Sequence, residues 1–213
     1  VLVVSQAVQT EGFADAPTAL NEAFGEINAT NHPWVNGYEQ PILNEEDLRK
    51  ALASGATEIV LVKDIEVSEP VEISKDVKIF GSGKTISRKE GYTGDVIVVK
   101  NTVKATLENV VLDGEEIQVS GSLIKTEGNG SVTLNEGAIV QNNNGALAIN
   151  LATRGGGTLT IDGGEVINNS SSAGAIWGGG NIVLNNGKIS NNSSTGLAGA
   201  IRMVGGSNFT MNG

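Results

Sequence analysis

Residues 159–194 read LTIDGGEVINNSSSAGAIWGGGNIVLNNGKISNNSS, and this stretch contains one pattern twice. Each copy opens with two apolar residues that flank a third residue, at 159–161 and again at 182–184. Another apolar residue follows five positions later, and an asparagine comes three positions after that. Patterns that recur at intervals of roughly 20 to 50 residues are typical of solenoids, in which each unit buries its apolar face against the next. The stretch therefore predicts a repeat protein.

The opening triplet recurs along most of the chain. Seven copies occur, with starts separated by 18, 28, 27, 27, 23 and 27 residues. The triplets are Ile59-Val60-Leu61, Val77-Lys78-Ile79, Ala105-Thr106-Leu107, Val132-Thr133-Leu134, Leu159-Thr160-Ile161, Ile182-Val183-Leu184 and Phe209-Thr210-Met211. Because successive side chains of a strand point to opposite faces, we expect the outer two residues of each triplet to face one interior. Seven triplets predict about seven coils.

Two further segments follow the triplet in each coil. Apolar residues recur five positions after it, at Ile139, Val166 and Ile189, and predict a second inward-facing strand. Four segments that combine small and aliphatic residues predict a third strand: Ser122-Leu123-Ile124, Gly145-Ala146-Leu147, Gly174-Ala175-Ile176 and Gly199-Ala200-Ile201. Residues typical of turns separate these segments. Three short strands per coil predict an all-β fold, a parallel β-helix.

Asparagines recur at one position of the later coils. Asn142, Asn169 and Asn192 each lie eight residues after a triplet. Stacked asparagine side chains can bond from coil to coil and to the backbone of a turn, and asparagine tolerates the left-handed conformation of a sharp corner. We therefore expect these three residues to form a structural ladder that fixes the register.

The chain is predicted to have three parts. Residues 1–43 lack the repeat and are interpreted as an N-terminal extension or adaptor. Residues 44–56 predict a capping α-helix, because Asn44 is a favourable N-cap, acidic residues fill the first turn and Gly55 ends the helix. Residues 57–213 are predicted to form the β-helix. The last triplet opens a new coil, so we expect further coils or another subunit to cover this end.

Composition limits the core and the partners. The 213 residues include 29 glycines, and only 4% are aromatic, which suits a slender interior of aliphatic side chains. A formal net charge of −10 argues against nucleic acid as a partner. The chain has no cysteine, so it offers no thiolate metal ligand. No stretch approaches the roughly 18 apolar residues of a membrane span, and we expect no membrane insertion by this segment.

A resemblance to a known family is carried by three stretches: NEEDLRKALASGATEIVLVKDIEV at 44–67, VEISKDVKIFGSGKTISR at 71–88, and the repeats quoted above. Over residues 44–213 the sequence resembles right-handed, pectate-lyase-like parallel β-helices, in particular the non-catalytic adhesive versions in large bacterial and archaeal surface proteins. The resemblance implies a right-handed β-helix with an N-terminal helical cap. It also implies a role in adhesion.

Enzymes on this fold place several carboxylates together on one outer face, and the sequence does not predict such a cluster. The outward position after the triplets holds Glu108, Asn135, Asp162, Asn185 and Asn212. Its nearest carboxylates are two coils apart, roughly 10 Å by the spacing of strands in a sheet. Calcium ligands lie within about 2.6 Å of the ion. The Arg-x-Pro-x-x-Arg pattern of pectate lyases is missing as well. We therefore predict no catalytic residues, no metal and no cofactor.

Trp177 and Arg202 are the candidate ligand-binding residues. If Ile176 points inward, Trp177 points outward, and Arg202 is its equivalent one coil later, about 5 Å away. A tryptophan and an arginine so placed can form a cation–π pair or a platform for a sugar ring. Packing at the surface is the alternative interpretation.

The expected function is that of a non-enzymatic cell-surface adhesin or stalk segment, secreted or displayed outside the cell. Its extended surface would adhere to glycans, host surface proteins or neighbouring cells. One alternative is a self-assembling extracellular fibre, formed end to end or by strand addition. A second alternative is a polysaccharide lyase or hydrolase.

Overall fold

The computed structural model describes residues 41–151 and 156–212. These residues form an all-β parallel β-solenoid of about five turns with one short helix. They belong to one compact unit, Pro41–Gly213. The turn count is lower than the seven coils predicted from the triplets. The extension predicted for residues 1–43 lies, up to residue 40, outside the described residues.

The largest sheet collects every predicted triplet. All of its strands are parallel, and in chain order each pairs with the next. The seven strands are β1 (Glu58–Val60), β4 (Val77–Arg88), β6 (Lys104–Asp113), β8 (Ser131–Asn135), β12 (Thr158–Ile167), β15 (Asn181–Ser190) and β18 (Asn208–Met211). Two short strands pair with the later halves of these long strands, namely β2 (Ile65–Val67) and β9 (Ile139–Gln141).

The register of this sheet aligns the apolar triplets from one strand to the next. The third residue of each triplet from the second onward lies beside its counterpart: Ile79, Leu107, Leu134, Ile161, Leu184 and Met211. The first triplet differs, because Ile59 pairs with Ile79 and the true first step is therefore 20 residues. A shift of two residues keeps each side chain on its face. Ile59 and Leu61 are accordingly buried, as predicted.

The prediction of a second inward-facing residue in each coil is correct at Val166 and wrong at Ile139. Val166 pairs with Val140 on one side and Ile189 on the other, and Val140 is fully buried. Ile139 lies on the outward face of its strand. The cause is one extra residue in the turn after β8, where Gly137 adopts φ of 73° and allows a wider corner. An error of one residue moves a side chain to the opposite face of a strand.

A second parallel sheet contains the predicted third strands. Its members are β3 (Val71–Ile73), β5 (Ile97–Val99), β7 (Ile124–Thr126), β11 (Ile149–Asn150), β14 (Ile176–Gly178) and β17 (Ile201–Met203). Ile124, Ile176 and Ile201 take the expected positions. The prediction at 145–147 is wrong, because Ile149 is the residue in register with Ile124 and Ile176. The sequence GALAIN offers two similar triplets, and the structure uses the later one.

A small third sheet lies between the other two along the chain. Its three described strands are β10 (Asn144–Gly145), β13 (Ser170–Ser171) and β16 (Ser193–Ser194). Serine and asparagine dominate these strands, which suits a narrow, polar edge of the solenoid. The core that all three sheets enclose consists of Ile, Leu, Val and Ala side chains and runs from Ile42 to Leu184.

The predicted helix is present as α1, Glu45–Ser54. The Asn44 side chain accepts a hydrogen bond from the backbone N–H of Asp47 (2.9 Å), and Gly55 ends the helix with a left-handed φ of 83°. Leu48 is buried in the solenoid core, and Ala51 and Leu52 pack against it. No helix in the described ranges is long and apolar enough to cross a membrane.

The asparagine ladder exists, but its first member is Asn143 and not Asn142. Oδ1 of Asn169 accepts a hydrogen bond from the backbone N–H of Asn143 (2.9 Å), and Oδ1 of Asn192 accepts one from the backbone N–H of Asn169 (2.9 Å). Asn142 instead adopts φ of 58° at the corner and donates to Asp113. The extra residue that displaced Ile139 also displaced Asn142. Asn169 and Asn192 are ladder residues as predicted.

Arg88 begins the same internal row of polar side chains. It is 4% exposed, and its guanidinium donates to the carbonyl oxygens of Gly94 (2.8 Å) and Gly121 (2.9 Å) and to Oδ1 of Asn143 (3.0 Å). Burial lowers the pKa of Arg88 below its usual range. A guanidinium nevertheless stays charged in proteins. Its three oxygen partners connect successive turns of the solenoid and compensate part of the desolvation of the charge.

Candidate functional site

The outward row of the second sheet contains both predicted ligand-binding residues. Lys125, Asn150, Trp177 and Arg202 occupy the same register position on four successive strands, β7, β11, β14 and β17. Trp177 and Arg202 are therefore neighbours, as predicted. The Arg202 Cζ atom lies 6.0 Å from the centroid of the Trp177 ring, which is within cation–π range. Asn150 lies on the other side of Trp177.

The side chains of Asn150, Trp177 and Arg202 line a groove with a volume of about 310 Å³. The loops before the second sheet supply its other wall. The residues that line it are Ser120, Ser122, Gly145, Ala146, Leu147, Asn150, Ser171, Ser172, Ala173, Trp177 and Arg202. An aromatic ring, one cation, an amide and several hydroxyls thus converge on one open cleft. Such a mixture of an apolar surface and a few polar groups is typical of small-ligand sites.

The wall formed by residues 171–174 is held by a compact serine turn. The Ser171 hydroxyl donates to the carbonyl oxygen of Gly174 (2.6 Å) and accepts from the backbone N–H groups of Ala173 and Gly174 (both 3.0 Å). Gly174 adopts φ of 109°, a conformation that favours glycine. The turn leaves Ser172 exposed at the rim of the groove.

The indole N–H of Trp177 lacks a partner. Nε1 is shielded from solvent and makes no hydrogen bond with the described residues. Buried tryptophan N–H groups usually find an acceptor, and an exception calls for an explanation such as a missing water or ligand. Trp177 therefore has one donor without a partner among the described residues.

The two cations of the row differ in their surroundings. The Lys125 ammonium is 3.1 Å from Oδ2 of Asp95, whose other oxygen accepts from the backbone N–H of Ser122 (2.8 Å). Arg202 has the Trp177 ring contact and no hydrogen bond or ion pair to another described residue. Arg202 is therefore the cation in this row whose donors are available to a ligand.

A second groove lies on the first sheet and is acidic. It has a volume of about 550 Å³ and is lined by Glu108, Asn135, Glu136, Asp162, Gly163 and Asn186. Glu108 accepts from the Lys78 ammonium (2.9 Å) and from the Asn135 amide (3.1 Å). The Lys78 interaction first, and then the Asn135 hydrogen bond, hold the pKa of Glu108 below its usual range. A carboxyl group with a lowered pKa is ionised at neutral pH and is a poor proton donor.

The acidic side chains of the described residues do not converge on a metal site. Within 41–151 and 156–212, no group of three or more His, Cys, Asp or Glu side chains is arranged to hold a metal ion. Glu108 and Asp162 belong to strands separated by β8, as the sequence predicted.

The sequence did not predict Asn150 and Ser172 as residues of the candidate site. Asn150 becomes visible once Leu147-Ala148-Ile149 is aligned with the other third strands, because it then falls beside Trp177. Ser172 had no comparable signal. It lies in a turn whose length varies from coil to coil, so periodicity does not place it opposite the tryptophan.

No protein-family model, no curated protein and no solved structure matches the chain.

Proposed function

We propose that this chain is a non-enzymatic adhesive module, displayed outside the cell, that binds glycans through the groove beside Trp177 and Arg202. The observation that carries the proposal is the arrangement of the outward row, in which an aromatic ring lies between the Asn150 amide and the Arg202 guanidinium. The solenoid would hold this row at fixed spacing, as a surface adhesin or stalk does.

The chemistry of the groove suits a sugar better than an apolar ligand. A tryptophan ring can pack against the C–H face of a pyranose while the surrounding donors and acceptors bond its hydroxyls. Ser172 and Asn150, which both line the groove, supply donors and acceptors. The volume of about 310 Å³ accommodates a small unit of a larger ligand, and the open groove lets a chain extend beyond it.

The acidic groove supports a catalytic function less well than the groove beside Trp177 supports glycan binding. Glycoside hydrolysis needs one protonated carboxyl beside an ionised one. Glu108 is ionised through Lys78, and Asp162 lies two strands away, roughly 10 Å by strand spacing. These features favour binding over cleavage as the proposed activity.

The test is binding of the folded chain to an array of glycans and matrix proteins. We expect selective glycan binding that Trp177→Ala removes. Phe80→Ala is the matched control, since Phe80 is an outward, half-buried aromatic on the first sheet. Loss of binding in Trp177→Ala alone supports the proposal. Equal binding by both variants, or no glycan binding by the wild type, overturns it.

The two alternative functions, a self-assembling fibre and a polysaccharide lyase or hydrolase, are tested by separate measurements. Sedimentation over a wide concentration range tests the fibre, because association that grows with concentration favours self-assembly end to end or by strand addition. Incubation with polyuronates and neutral polysaccharides, with and without calcium, tests the lyase or hydrolase. Release of reducing ends or unsaturated products would favour an enzyme.

A further inference from the structure

The three arginines of the described ranges have different partners. Arg49 bonds Oε1 of Glu45 at 2.6 Å, and Arg88 donates to three oxygens inside the core. Arg202 contacts the Trp177 ring and has no oxygen partner among the described residues. Lys125, on the same outward row, forms an ion pair with Asp95. Among the described lining residues, Arg202 is therefore the cation whose donors have no oxygen partner.

A guanidinium in this position is suited to one kind of ligand group. Its five N–H donors form a planar fork that matches the two oxygens of a carboxylate or a sulfate. Such charge-assisted pairs are roughly twice as strong as neutral hydrogen bonds. The contact with the indole ring, at 6.0 Å from its centroid, keeps the guanidinium beside the aromatic surface on which a sugar would pack.

Trp177 gives a second, independent indication of a missing acceptor. Its shielded Nε1 has no hydrogen-bond partner, and it belongs to the same ring that Arg202 contacts. A ligand whose anionic group binds Arg202 would also pack on the Trp177 ring, whereas a neutral sugar would make only the contact with the ring.

We propose that the groove selects anionic glycans, in which the sugar carries a carboxylate or a sulfate group, and that Arg202 binds this group while Trp177 packs against the ring. The inference rests on the proposed glycan-binding function and specifies its ligand class. The overall charge of −10 opposes the approach of an anion, so the proposed preference depends on the local positive charge of Arg202.

The experiment is calorimetric titration of the full chain with three probes on one backbone: cellotetraose, its C6-oxidised uronate form and its sulfate ester. We expect at least one anionic probe to bind about tenfold or more tightly than cellotetraose, equivalent to about 1.4 kcal/mol. Arg202→Gln should lower the affinity for the anionic probe about tenfold or more, so that its preference over cellotetraose disappears. Comparison of the uronate and the sulfate ester identifies which oxyanion is preferred.

The matched control is Lys188→Gln, which removes an exposed cation whose ion-pair distance to Glu165 is 4.0 Å. It should leave every affinity unchanged, and the melting temperature of each variant checks its folding. Equal affinity of the wild type for neutral and anionic probes overturns the selectivity and leaves glycan binding standing. An anionic preference that survives Arg202→Gln overturns the role of Arg202. Absence of binding to every saccharide, on these probes and on the array, overturns both proposals.

Discussion

Asn169 and Asn192 join two turns of the solenoid through their side chains. The Asn169 amide donates to Oδ1 of Asn192 (3.0 Å), and the same oxygen accepts from the Asn169 backbone N–H (2.9 Å). Asn169 is 1% exposed and also donates to the carbonyl oxygens of Val140 (3.0 Å) and Ile167 (2.9 Å). This one side chain therefore bonds to three turns.

Replacing Asn169 with alanine should destabilise the fold. The change leaves the Val140 carbonyl and the Asn143 N–H without their partners, and each unpaired buried group costs about 1 to 3 kcal/mol. Urea unfolding measures the loss. Asn181→Ala is the control, because Asn181 is exposed and accepts one side-chain bond, from Asn208 (3.1 Å). Equal effects of the two variants would show that the internal ladder has no special role.

Replacing Arg88 with glutamine should cost about 3 kcal/mol, because a shorter, neutral side chain cannot reach the three oxygens that the guanidinium now satisfies. The measurement is the free energy of unfolding in urea. Arg88→Lys separates charge from geometry. It keeps the charge but loses the fork, so it should also be destabilising. A wild-type stability for Arg88→Gln would contradict the assigned network.

Gly114 is required by close approach of the backbone. An added Cβ would lie 2.5 Å from the Asn142 carbonyl oxygen and 2.5 Å from the Asn143 Cα. Gly114→Ala should therefore lower stability by about 1 to 3 kcal/mol through overpacking. Gly205→Ala is the control, since nothing lies within 4 Å of its added Cβ. Thermal unfolding compares the two, and an unchanged melting temperature for Gly114→Ala would contradict this packing.

The Lys78–Glu108 pair should contribute a small, pH-dependent stability. The lowered pKa of Glu108 means that the contribution is present above the pKa of the unfolded chain and is lost as pH falls through the folded pKa. Both side chains are about one-third exposed, so we expect less than about 1 kcal/mol. Melting temperatures from pH 3 to 7 should show the gap between wild type and Lys78→Met narrowing below about pH 4.

The Phe80 contact of Lys78, at 4.0 Å, is independent of pH and should leave a constant part of that gap. Lys188→Met is the control for this measurement, because its partner is 4.0 Å away and its side chain is mostly exposed. A gap for Lys78→Met that stays constant over the whole pH range would contradict the coupling to Glu108.

The sequence was sufficient to predict the sheets, but it did not predict which residues occupy the corners between them. Apolar triplets align because a side-chain period of two leaves few alternatives when one face is buried. Turns carry no such constraint. QNNN offers three adjacent asparagines for one ladder position, and one extra residue near Gly137 moved the choice from Asn142 to Asn143.

The candidate site was predictable to the extent that it follows the strands. Trp177 and Arg202 were found because both come directly after an inward isoleucine. The buried position of Arg88 was not predicted, because its contact with Asn143 spans 55 residues and two turns of the solenoid. No local pattern marks an arginine as inward-facing. The same limit applies to Ser172, which the turn and not the period brings to the groove.

The most direct test of the central claim is an NMR titration of the Trp177 indole N–H. The chain contains two tryptophans, and Trp177→Phe assigns the signal. Because Trp177 lines the groove, a glycan that packs against its ring should change the surroundings of the indole and shift its N–H resonance. The account predicts a saturable shift on addition of the glycan probe that binds most tightly. Binding of that probe with an unmoved Trp177 indole signal would contradict it.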